Sequence, residues 1–149
     1  MAETVLVRPE LTQGMVAGGR VLLASLDQLG IAIDAAFWLL DEEVPAWHLV
    51  LATRLVRTDG PRILYRKVNR MLTKLQLQEV IWIDMVSIFD PHMRVVEALV
   101  GALGMTESVG GMRLDNAVLG GVRIPACLIY RLAAKSKARA RTVRAAAAE

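Results

Sequence analysis

The chain has 149 residues, one cysteine, 54% hydrophobic residues and a formal net charge of +3, which suits a single domain with a core of its own. Charges interrupt it so often that the longest uncharged run, Val44–Thr53, falls well short of the roughly 20 apolar residues of a membrane-spanning helix. With Cys127 alone, an internal disulfide and a cysteine-based metal framework are both excluded.

The N-terminal Met1 to Arg8, with Glu3 and a short Val5-Leu6-Val7 run, lacks the basic start, apolar stretch and cleavage site of a signal peptide. A soluble protein of the reducing cytoplasm is therefore expected. Cys127 sits in Ala126-Cys127-Leu128-Ile129 and reads as a small core residue.

From Leu11 to Leu29, the positions Met15, Leu22, Leu26 and Leu29 fall at helical steps, and Gly30 supplies a stop. Gly14 and Gly18 are spaced for close backbone packing. Ile31–Leu40 reads as a strand, followed by the polar turn Asp41–Pro45. Trp47–Val56 reads as its hairpin partner, with Trp47, Leu49, Leu51, Thr53 and Leu55 on one side and His48, Val50, Ala52, Arg54 and Val56 on the other.

Asp59-Gly60-Pro61 marks a helix start, with Asp as the cap. The helix Pro61 to Leu75 sets Leu64, Val68, Met71, Leu72 and Leu75 against Arg62, Arg66, Arg70 and Lys74. Glu79–Phe89 is apolar on both faces and reads as a central strand. Asp90-Pro91 predicts a second helix start, with Met93, Val96, Leu99, Val100 and Leu103 inward and Gly104 as the stop. Gly104–Gly111 then reads as a loop, and Met112–Leu119 is ambiguous between strand and loop. Arg123–Leu132 is a final strand, in which Pro125 suggests an edge or a bulge.

The order α-β-β-α-β-α-(β)-β predicts one α+β domain over residues 1–132, a mixed sheet of four to five strands carrying about three helices. Residues 133–149 form a basic Ala/Lys/Arg tail, helical or disordered. It holds Lys135, Lys137, Arg139, Arg141 and Arg144 against Glu149, a surplus of four that leaves the domain itself at −1.

No phosphate-loop, nucleophile-elbow or dinucleotide-binding motif occurs, and His48 and His92 lack the companion ligands of a metal site. No cofactor or metal is called for. Asp34 and Asp84, set in apolar strands, are the catalytic candidates for a nuclease or other phosphodiesterase, since a carboxylate there faces a cavity, pairs with a cation or has its pKa raised. Helix, hairpin, helix and strand bearing aspartates resembles the order in metal-dependent nucleases, but their Glu-x-Lys is missing from Trp47–Val56.

The other candidates are cationic. Arg62, Arg66, Arg70 and Lys74, with Lys67 and Tyr65 beside them, face one way with no acid between Pro61 and Gln78. Together with the five tail cations they form a potential polyanion-binding set, and nucleic acid is the alternative partner. Trp38, Trp47, Trp82, Phe37 and Phe89 read as core anchors, or as a partner surface if they face outward.

Through Ala35–Leu40, Trp47–Thr53, Gly60-Pro61 and Ile129-Tyr130-Arg131, the chain resembles small uncharacterised bacterial proteins over most of residues 11–132. That resemblance implies no activity, ligand or catalytic residue. The leading reading is a non-catalytic accessory or protein-interaction domain that self-associates, because no catalytic constellation assembles and oligomers hide excess apolar area.

Overall fold

The computed structural model describes residues 9–133. Thr12 opens α1 (Gln13–Gln28), its hydroxyl accepting the Met15 N–H at 3.1 Å, an N-cap contribution of about 1 kcal/mol. Gly14 and Gly18 lie on the face that meets Val80 and Ile81, where an added Cβ comes within 3.2 Å of their side chains. Within α1 the tightest approach belongs to Gly19. A Cβ there would fall 2.5 Å from the Tyr130 hydroxyl.

Strands β1 (Ala35–Asp41) and β2 (Ala46–Ala52) pair antiparallel, with Trp38 opposite Leu49 and Phe37 opposite Val50. The expected alternation holds: Trp47, Leu49 and Leu51 join one core cluster and Val50 and Ala52 the other. Both strands are shorter than expected, because local side chains take over their backbone groups. The Thr53 hydroxyl donates to the Ala32 carbonyl at 2.7 Å and accepts the Leu55 N–H at 3.1 Å, while Asp34 accepts the Arg54 N–H at 2.9 Å. The chain turns there into a short helix, α2 (Leu55–Asp59), where the sequence suggested more strand.

Helix α3 (Pro61–Lys74) buries Leu64, Val68, Met71 and Leu72 as its pattern requires. Its N-cap is Gly60 at φ 86° rather than Asp59, and Pro61 fills the first position, where no N–H is needed. Glu79–Phe89 departs most from expectation. It consists of a turn, a 3₁₀ turn at Ile83–Met85 and a four-residue strand, β3 (Val86–Phe89), at the edge of the sheet. Its apolar residues serve separate purposes: Ile81 is buried, whereas Trp82 is 61% exposed and Phe89 40%. These two aromatics are therefore not core anchors, unlike Trp38, Trp47 and Phe37.

Helix α4 (Arg94–Leu103) starts later than Pro91, because the Asp90 carboxylate accepts the His92 N–H and holds a turn ahead of it. His92 thus precedes the helix. Then β4 (Thr106–Leu119) and β5 (Val122–Leu132) form a long antiparallel pair. Residues 106–111 are strand rather than loop. No β4 residue is buried, so no apolar rhythm announced it, and an irregularity between Glu107 and Met112 breaks its register.

The five-stranded sheet runs β3-β2-β1-β5-β4, with only β2 and β3 parallel. Helices α1 and α3 cover one face and α4 the other. Pro125 lies in an inner strand, yet β1 pairing reaches only to Cys127, so at Pro125 no ladder bond to β1 is lost. Cys127 is fully buried, and burial pushes its thiol up to about 12. In β5 the register slips by one residue at Tyr130. That bulge turns Tyr130 and Arg131 both toward α1, where the Tyr130 hydroxyl donates to the Val16 carbonyl and accepts the Trp38 indole N–H at 2.9 Å. Among the described residues no helix is long and apolar enough to cross a membrane.

Candidate functional site

The two candidate aspartates do not meet. Asp34 precedes β1 at the end of the sheet where β2 and β3 finish, since Ala35 pairs with Ala52 and Ala52 with Phe89. Asp84 lies in the 3₁₀ turn before β3, at the opposite end, and is exposed. Asp34 is 3% exposed and serves the fold: its carboxylate takes the Arg54 N–H, its carbonyl takes the Ala133 N–H at 2.8 Å, and the Arg54 guanidinium stands 3.6 Å away. Beside it Arg57 forms a two-bond pair with Asp90, which holds that carboxyl down at about 2. This end is a set of interlocked loop ties, with no shared cleft between the two carboxylates.

His48 belongs to a different region, a cavity of about 480 Å³ left where α4 does not cover the sheet. Leu39, Val50, Ser87, Phe89, Asp41 and Glu42 are among its walls. The imidazole Nε2 is 4.0 Å from the Asp41 carboxylate, too far for a hydrogen bond, and Nδ1 is buried without a partner. Ser87 makes no hydrogen bond to His48, so nucleophile and base are not joined. At the rim, Arg123 grips Glu42 through two bonds and its pKa is raised by them. Among the described residues no group of three or more His, Cys, Asp or Glu is placed to hold a metal.

The cations of α3 do form a surface. Arg62, Arg66, Lys67, Arg70 and Lys74 are all exposed, and among the described residues none is ion-paired. By contrast, Arg54, Arg57, Arg113, Arg123 and Arg131 each have a carboxylate partner. Tyr65 does not belong to this surface. It is half-buried, and its hydroxyl accepts the Ile88 N–H at 2.9 Å, sealing the outer edge of β3.

Lys67, Arg70 and Lys74 also line a groove of about 350 Å³ whose floor is Leu29, Ile31 and Met71. Sequence reasoning found the cations and missed the floor. Leu29 and Met71 fall on the apolar sides of their own helices and Ile31 in the segment read as a strand, and only the approach of the end of α1 to α3 joins the three. The one available signal was Leu29, an apolar residue placed just beyond the last turn of α1. The tail cations Lys135, Lys137, Arg139, Arg141 and Arg144 lie outside the described residues. The chain reaches them from Ala133, bonded to Asp34, three residues from Ile31 in the groove.

No protein-family model, curated protein or solved structure matches the chain.

Proposed function

We propose that the chain is a non-catalytic binding domain whose working surface is the basic face of α3, which takes an anionic macromolecule. The observation that carries this reading is the contrast in partners: the five exposed cations on one helix have no carboxylate, while five of the seven described arginines elsewhere each have one. A row of unpaired cations gains affinity for a row of anions by releasing their condensed counterions. The tail, with its surplus of four, adds to the same potential. A cytoplasmic setting fits the single, buried Cys127.

Retention on immobilised heparin tests the reading. The wild-type chain should elute only at raised salt, and the double charge reversal Arg66→Glu/Arg70→Glu should elute much earlier. Deleting residues 134–149 separates the tail's share. Elution of the α3 double variant at the wild-type salt concentration, with or without the tail, would remove α3 from the proposal.

A second reading, self-association, is favoured by β4. It is an edge strand of 14 residues without a buried side chain, with Val109 78% and Val118 64% exposed, whereas the opposite edge is short and sealed by Tyr65. Such an edge is a template for another strand. Light scattering across a micromolar concentration series should give a mass above the monomer; a clean monomer throughout counts against it.

A further inference from the structure

Charge alone does not account for the groove beside α3. Leu29 is 58% exposed on its floor, an apolar side chain held in the open between cations. Lys67, Arg70 and Lys74 recur at steps of three and four along the rim, a run of about 10 Å at the helical rise. One carboxylate or phosphate would use a single position of that run. A second helix lying alongside α3, with acids at the same steps and an apolar stripe next to them, would use all three cations and cover the floor.

We infer that the occupant of this groove is an acidic amphipathic helix of a partner protein; the inference rests on the anion-binding reading of α3. It corresponds to helix-in-groove recognition, in which apolar anchors enter a groove and flanking charges set the orientation. Nucleic acid matches the charge but not the floor. Binding single strands calls for aromatic platforms, and the one aromatic of α3, Tyr65, is committed to β3. A second copy does not fit either, because α1, α2 and α4 carry one acid each, Asp27, Asp59 and Glu97, and so present no acidic row.

The test uses the full chain and fluorescence anisotropy with three labelled probes: a helix-forming peptide with Glu at steps of three and four beside a Leu stripe, its Gln-for-Glu counterpart, and oligo-dT. The acidic peptide is expected to bind at least ~10-fold more tightly than the Gln peptide, the equivalent of ~1.4 kcal/mol. Leu29→Asn should weaken the acidic peptide about fivefold, from lost apolar burial, and leave heparin retention unchanged. Leu29 is exposed, so this variant should keep its fold, as circular dichroism will report. Binding of oligo-dT through α3 with a silent acidic peptide overturns the helical partner and spares the anion-binding reading. An acidic peptide indifferent to Leu29→Asn overturns the groove. Failure of heparin and both anionic probes together overturns the anion-binding reading itself.

Discussion

Arg131 and Arg66 carry the same charge and are built into the protein in opposite ways. Arg131 is turned toward α1 by the β5 bulge, with its side chain only 16% exposed. There it donates to Asp27, Glu107 and the Ile33 carbonyl, tying β5 to α1, to β4 and to the chain leading into β1. Those bonds raise its pKa above the ordinary arginine value. Arg66 ties nothing to anything. It stands on an exposed helix face with Arg62 four residues before it and Arg70 four after. Like charges at that spacing repel by about 0.2–0.5 kcal/mol per pair. These arginines tie no other element to α3, and their mutual repulsion costs a little stability, which is why their purpose is sought outside the fold.

The sharpest way to break the comparison is to remove the embedded cation. Arg131→Ala should destabilise the protein by about 2 kcal/mol: charge-assisted hydrogen bonds are lost, but Asp27 and Glu107 are open enough to be rehydrated. In a chain of this size that corresponds to a melting temperature lower by about 4–8 °C. Calorimetry reads it directly. A melting temperature within a degree of wild type would mean that Arg131 is as dispensable as Arg66 and that the contrast is empty.

The same two arginines show what could be read from the sequence. Arg66 was legible, because a helix sorts residues by angle and α3 alternates charge and core within one element. The β1–β2 hairpin was legible for the same reason, since local alternation decides the two faces. Arg131 was not. Strict alternation puts it on the face opposite Tyr130, and only the register slip between β5 and β1 brings both to α1. Glu79–Phe89 failed similarly: apolar residues on both sides suit a central strand, but they also suit a turn that buries Ile81, exposes Trp82 and leaves four residues for pairing. Of the candidate site, the charged rim lay on one helix and could be seen. Its floor depends on two elements meeting.

The smallest expected effect has the opposite sign and bears most on function. Arg66→Ala removes two like-charge pairs, Arg62 with Arg66 and Arg66 with Arg70, and places the best helix former at an exposed helical position. Stability should rise by about 0.4–1 kcal/mol in low salt. The gain should shrink as salt is added, because exposed charges are screened within roughly 10 Å at 0.1 M. Denaturant midpoints at two ionic strengths measure both quantities, and the heparin column measures what is given up in return. A variant that is more stable and less well retained is the signature of a residue kept for a partner. If Arg66→Ala instead destabilises the protein at both ionic strengths, the arginine supports its own helix, and the basic face of α3 loses its claim to be the working surface.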